Sequence, residues 1–252
     1  LKEKCEDVGV DFLSTPFDRI AVDFLEELGV EFYKIASFEL VDIPLIEYVA
    51  SKRKPVIMSC GMGSEEEIRE AVEACKRQGN DNIVLLKCCS QYPAQYEDMN
   101  LLTIPKMKED FQTYVGLSDH SMGSLAPIVA VGLGAKVIEK HVCLSREIEN
   151  PDAKFSMEME EFAQMVRDVK NATLVMGKPT YELMEHEKRG LRTRRSLVAV
   201  KDIREGEIFS PENVRSIRPA IGLKPKYYQQ LIGKKAKKAY KFGEPISEIE
   251  LR

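Results

Sequence analysis

Six short apolar runs, each followed by a stretch with apolar residues at helical spacing, restrict the first 177 residues to very few architectures. The runs are Val10–Thr15, Phe32–Ser37, Pro55–Cys60, Asn82–Ser90, Tyr114–His120 and Lys136–Val142. A continuous apolar run of this length reads as a strand buried on both faces, and successive strands joined by helices must run parallel. The segment Ser64–Gln78 is the clearest of the intervening helices. Ile68, Ala71, Val72 and Cys75 share one face, and Ser64 with Glu67 forms a capping box at its start. An open doubly wound sheet would use six such units, whereas a closed barrel needs eight. Each run ends in polar or small residues, including Ser14-Thr15, Ser37, Ser59-Cys60-Gly61, Ser90-Gln91-Tyr92, Ser118-Asp119-His120 and Glu139-Lys140-His141. A barrel gathers all its strand ends on one face, while an open sheet gathers only those near its crossover. The expected fold is therefore an α/β (β/α)8 TIM barrel over residues 1–177, lacking its first two βα units in this sequence.

The net charge of −4 conceals an asymmetry. Residues 187–252 hold 17 Lys and Arg against 8 Asp and Glu, leaving 20 against 33 in residues 1–186. Such a split points to two domains with different tasks. After a polar linker at 178–194, residues 195–252 read as a small mixed domain. Ser196–Val200 is a short strand, Lys201–Glu207 a turn, and Pro211–Val214 and Pro225–Leu231 short helices. The six cysteines show no CxxC spacing and sit mostly in apolar runs, which fits a reduced, cytoplasmic protein rather than a disulfide scaffold. No apolar run reaches transmembrane length, and the charged start Leu1-Lys2-Glu3-Lys4 is not a secretory signal. The first residue is not Met, and the native protein is expected to be longer.

Two of the three histidines, His120 and His141, end neighbouring candidate strands. Adjacent strand ends can share one ion, and imidazole suits Mn, Fe, Co or Zn; two polar residues lining a pocket is the plainer alternative. Lys34, Lys87 and Lys140 lie within strand runs. Each calls for an anion, a carbonyl substrate, or an internal salt bridge with Glu39, Asp119 or Glu139. Together with the hydroxyls of Ser37, Ser59, Ser90 and Ser118 and the backbone of Gly61, they suggest a phosphorylated or carboxylated small substrate. Cys88 and Cys89 read as packing residues. The basic stretch Lys234–Lys238 reads as a solvated face, so neither nucleic acid nor membrane is an expected partner.

Ser14-Thr15-Pro16-Phe17-Asp18, Lys34-Ile35-Ala36-Ser37, Gly116-Leu117-Ser118-Asp119-His120 and Ile138-Glu139-Lys140-His141 stand in order at the expected strand ends. This set resembles the sialic acid synthase family of phosphoenolpyruvate-dependent condensing enzymes, and the tail from about 195 looks like that family's antifreeze-like (SAF) domain. Asn150–Ser156 and Arg218–Tyr228 look more like its pseudaminic acid branch than its neuraminate or legionaminate branches. The resemblance implies a metal-dependent transferase. It would condense phosphoenolpyruvate with 2,4-diacetamido-2,4,6-trideoxy-altrose, an N-acetylated amino sugar, to give a nine-carbon 2-keto acid. It implies His120 and His141 as ligands of a divalent ion, Mn or Mg, with Co as a further option. Lys34, Ser37, Ser59 and Ser118 match the phosphoenolpyruvate pocket, with Thr15, Gly61, Asp119 and Lys140 at the same strand ends. Gln91, Tyr92 and Asp152 match the sugar-contacting region, and Glu39 a carboxylate near the reacting sugar. Arg218 matches an arginine reaching into the partner's site of a domain-swapped homodimer.

Overall fold

The computed structural model describes residues 1–251, which divide into two compact units, one over Leu1–Lys178 and one from Pro179 onward. The first opens with α1 (Lys2–Val8) and α2 (Arg19–Glu27), then alternates strand and helix. The order is β1 (Tyr33–Ile35), α3 (Ile43–Ser51), β2 (Val56–Ser59), α4 (Glu65–Arg77), β3 (Ile83–Cys88), α5 (Thr103–Phe111), β4 (Tyr114–Asp119), α6 (Leu125–Gly132) and β5 (Val137–Lys140). All four pairings are parallel, and the spatial order is β1-β2-β3-β4-β5. Sequential order leaves no crossover point, so every strand ends on the same rim. The sheet is curled into a half-barrel. Lys34 on β1 lies 3.4 Å from Glu139 on β5, although three strands separate them in the sheet.

Side-chain alternation assigns the two faces. Tyr33, Ile35, Val56, Met58, Ile83, Leu85, Val115 and Leu117 join the core with helix residues such as Val22, Ile46, Val49, Ala71, Val72 and Ile104. The intervening positions, Lys34, Ser59, Cys88, Ser118 and Glu139, therefore line the concave face. Helix starts follow local chemistry. Asp18 accepts from the Ala21 amide and Asp42 from the Leu45 amide, and Ser64 with Glu67 forms the full capping box at α4.

Two expectations fail here. The described sheet is open and has five strands where six were expected. The run Val10–Thr15 forms no strand; β1 pairs with β2 alone, so this run has no ladder to hold it. The chain beyond β5 is more elaborate than one helix. Strands β6 (Val142–Cys143) and β7 (Met157–Glu158) pair in parallel around a loop, and α7 (Met159–Met176) follows. The Met157 amide donates to the His141 carbonyl at 2.9 Å, and the Arg146 guanidinium donates to the Ser156 carbonyl at 3.0 Å. These bonds fold the loop back over the end of β5.

The second unit begins with α8 (Glu185–Lys188) and a 3-10 turn, Arg189–Thr193, where a plain polar linker was expected. The Glu187 carboxylate accepts from the Met184 amide at 3.0 Å, capping a helix that charge composition alone conceals. β8 (Ser196–Ala199) pairs antiparallel with β9 (Val214–Ile217), and α9 (Tyr228–Leu231) follows a 3-10 turn at Pro225–Tyr227. The helix expected at Pro211–Val214 is a turn leading into β9. The Asn213 side chain accepts from the Ser210 amide and donates to the Ile208 carbonyl, so it replaces helical bonding locally. Leu197, Phe209, Val214, Leu231, Tyr240 and Ile246 form this unit's own core.

Candidate active site

The rim of the half-barrel collects the chemistry in two adjoining groups. The first is a cation and hydroxyl cluster on the concave face. Lys34, 5% exposed, donates from Nζ to Ser59 Oγ at 2.8 Å and to the Ile35 carbonyl at 2.9 Å, and lies 3.4 Å from Glu139 Oε2. Ser118 donates to Glu139 Oε1 at 2.8 Å. Beside it, Gly61 N–H donates to Ser37 Oγ at 3.1 Å. A Cβ at Gly61 would stand 2.1 Å from Ser90 Oγ, 2.8 Å from Ser37 Oγ and 3.1 Å from Cys88 Sγ. Glycine is thus what lets the ends of β1, β2 and β3 approach one another.

The second group is aromatic. His120 and His141 have ring centroids 5.3 Å apart. Tyr92 lies 4.2 Å from His120, and Phe155 lies 5.0 Å from His141. The Cys89 carbonyl, which can only accept, sits 2.9 Å from His120 Nδ1 and so fixes the proton there. His141 Nδ1 faces Asp152 Oδ2 at 3.5 Å, a charge-pair distance rather than a hydrogen bond. In His120, Nε2 then carries the free lone pair. Burial and the neighbouring His120 hold the His141 imidazolium below its usual range. For His120 burial acts in the same direction, but the Cys88 thiol and the Cys89 carbonyl outweigh it and raise its pKa. Burial pushes the Cys60 thiol up to about 12. At Cys88, contacts with His120, Ser37 and Ser90 outweigh burial and lower the thiol pKa.

The donor set suits a divalent ion held by two imidazoles. His120 Nδ1 is engaged by the Cys89 carbonyl and His141 Nδ1 faces the Asp152 carboxylate, and such outer partners orient ligating histidines. Among the described residues no cluster of three or more His, Cys, Asp or Glu side chains surrounds a common point. Two protein ligands would leave the remaining positions to water and substrate, as an open catalytic site requires.

Other expected residues fall elsewhere. Asp119 and Lys140 are not part of the concave cluster. Lys140 Nζ meets Asp119 Oδ2 at 2.6 Å with both side chains essentially sealed, and Asp119 Oδ1 accepts from the Ser121 amide at 2.8 Å. Alternation puts them on the helix-packed face, where each is the other's partner. Glu39 follows β1 in a 3-10 turn, and its Oε2 is buried without a hydrogen-bond partner among the described residues. Thr15 is half-buried in the unpaired segment before α2, and Gln91 is exposed after β3. Arg218 is exposed after β9, in the second unit.

Sequence reasoning missed three residues. Glu139 figured only as a salt-bridge partner, yet it bridges Lys34 and Ser118. Its place one residue before Lys140, hence on the opposite face, was the available signal. Cys88, read as packing, is buried but also lies 3.8 Å from His120 Nδ1. Phe155 carried no signal, because only the folded loop brings it to His141.

Residues 1–181 match the NeuB family and residues 194–252 the SAF domain. The pseudaminic acid synthase of Campylobacter jejuni subsp. jejuni serotype O:23/36 (strain 81-176) is 45% identical over 99% of this chain and 73% of its own length. That of Helicobacter pylori (strain ATCC 700392 / 26695) is 43% identical over 97% of this chain and 72% of its own. The chain thus spans nearly three quarters of the length of these relatives. Among solved structures, the spore coat polysaccharide biosynthesis protein of Bacillus subtilis superposes with a TM-score of 0.67 at 29% identity. That match covers 99% of this chain and 75% of that one. The order of motifs around the rim, the half-barrel that carries them and the matched length agree: the chain belongs to the NeuB family and carries a C-terminal SAF domain.

Proposed function

We propose that the chain is a pseudaminic acid synthase of the NeuB family. It would join phosphoenolpyruvate to 2,4-diacetamido-2,4,6-trideoxy-altrose, with entry of water and release of phosphate, giving a nine-carbon 2-keto acid. The observation that carries this reading is the adjacency, on one rim, of the Lys34–Ser59–Ser118 donor cluster and the His120–His141 pair. The identity to pseudaminic acid synthases from two genera supports the branch.

In this reading Lys34, Ser37, Ser59, Ser118 and the Gly61 amide bind the anionic groups of phosphoenolpyruvate. Buried N–H and O–H donors of fixed direction hold it without reorganisation at the moment of reaction. His120 and His141 hold a divalent ion, manganese or magnesium, which when bound supplies Lewis acidity toward the sugar's aldehyde oxygen. Tyr92 and Phe155 shield that point from water, and Asp152 orients His141. Glu39, whose buried oxygen has no partner among the described residues, is the acid or base nearest in chain to Ser37 and acts at the sugar. Arg218 adds a cation from the partner subunit of a homodimer. The protein works in the cytoplasm, and no helix among the described residues is long and apolar enough to cross a membrane.

The test is phosphate release from phosphoenolpyruvate by the whole protein, in the presence of manganese and then of a chelator. The trideoxy diacetamido altrose and N-acetylmannosamine are offered in parallel. Release with the first sugar alone is expected, and its loss on chelation. Release only with N-acetylmannosamine would transfer the protein to the neuraminate branch. Release that survives chelation would overturn the role given to His120 and His141.

A further inference from the structure

We infer that Glu139 is a resident stand-in for the substrate's anionic group, occupying the donors that phosphoenolpyruvate must claim. The inference rests on the functional reading above and goes beyond it, since that reading gives Glu139 no part. Lys34 has three N–H bonds, and its surroundings offer three acceptors: Ser59 Oγ at 2.8 Å, the Ile35 carbonyl at 2.9 Å and Glu139 Oε2 at 3.4 Å. Ser118 has a single O–H, which it donates to Glu139 Oε1 at 2.8 Å. Ser118 has no donor left for a ligand, and the one Lys34 N–H without a hydrogen bond faces the Glu139 carboxylate at 3.4 Å. Both are held by the same carboxylate.

The carboxylate is the partner best able to leave. Its contact with Lys34 is the longest of the three. Its side chain is 40% exposed while that of Lys34 is 7% exposed, so Glu139 can turn into water but Lys34 cannot. The two backbone and hydroxyl bonds keep the ammonium in place as the exchange occurs. An unpaired ammonium this buried would be costly, so an empty site without Glu139 would be poorly stable or would collapse. Glu139 thus neutralises Lys34 while the site is empty and competes with phosphoenolpyruvate for it. Its cost is paid in affinity.

The experiment is calorimetric titration of phosphoenolpyruvate into the full chain, for the wild type, Glu139→Gln and Glu139→Asp. Glu70→Gln on the exposed side of α4 serves as a control for net charge. With the competing charge removed, Glu139→Gln is expected to bind about two- to fivefold more tightly, the size of one partly exposed ion pair. Glu139→Asp, a methylene shorter, falls between, and it carries the test should the Gln variant fail to fold. Glu70→Gln leaves the dissociation constant unchanged. Equal or weaker binding by the Glu139 variants, with the wild type binding, would overturn the inference and leave the functional reading standing. A residue that merely positions Lys34 would give that weaker binding. A wild type that binds no phosphoenolpyruvate would instead overturn the functional reading, and the stand-in role with it.

Discussion

Lys34–Glu139 and Lys140–Asp119 are two lysine–carboxylate pairs on the same rim, and two of their four residues are consecutive on β5. They differ in almost every physical respect. The first spans 3.4 Å with a 40% exposed carboxylate, and both partners share their bonds with hydroxyl groups. The second spans 2.6 Å with side chains 1% and 0% exposed, and its carboxylate is also held by a backbone amide. Sheet alternation produces the difference: one residue step turns a side chain from the concave face to the helix-packed face. A loose, half-wetted pair can exchange a partner for a ligand. A sealed pair can only hold structure, because removing one partner strands a charge in a low dielectric.

The largest expected effect comes from breaking the sealed pair. Lys140→Met leaves Asp119 buried and unpaired, and should cost about 3–5 kcal/mol in denaturant unfolding of the first unit. A cost under about 1 kcal/mol would mean that the pair is not the structural element described. Next is the loose pair. Lys34→Met should lower phosphate release at least ~100-fold, or about 2.7 kcal/mol of barrier, with a stability loss of about 1 kcal/mol or less. If Lys34→Met unfolds the protein as Lys140→Met does, the two pairs are not distinct in kind.

A third variant disturbs both pairs at once. Gly116 on β4 faces Val137 on β5, and a Cβ there would stand 2.3 Å from the Val137 carbonyl oxygen and 2.6 Å from Leu86 Cδ2. Backbone cannot rotate away as a side chain can, so Gly116→Ala should push β5 off β4 and cost about 1–3 kcal/mol. Because β5 carries Glu139 and Lys140, turnover should fall with stability. A variant as stable and active as the wild type would show that β5 tolerates displacement.

Much of this rim was legible in the sequence. The runs at Phe32–Ser37, Pro55–Cys60, Asn82–Ser90, Tyr114–His120 and Lys136–Val142 each contain a strand of the sheet. The capping box at Ser64 and Glu67 starts α4 where local hydrogen bonding says it should. These succeed because burial pattern and capping are local. What failed was non-local. Whether Val10–Thr15 becomes a strand depends on a neighbour, not on its own residues. Asp119 and Lys140 carry the right chemistry at the right strand ends, but the wrong parity for the concave face. Counting alternate residues forward from Leu117 on β4 and from Ile138 on β5 would have placed them with the helices. Phe155 reaches His141 only through the Arg146 and Met157 bonds that fold its loop.

The finest discrimination between the pairs is thermodynamic and needs no turnover. A ligand that binds only the folded state stabilises it by RT ln(1 + [L]/Kd), about 1.4 kcal/mol at ten times Kd. Phosphoenolpyruvate at that level should raise the unfolding midpoint of the wild type by a few degrees. If Lys34 receives the anion, Lys34→Met loses this increment altogether. If the sealed pair only supports the sheet, Lys140→Met starts from a lower midpoint but keeps its increment, provided the fold persists at the temperature used. The midpoint reports stability and the increment reports the site, so the two variants separate functions that a single activity assay would confound. An increment lost in both, or kept in both, would erase the distinction between an exchangeable pair on the concave face and a fixed one behind it.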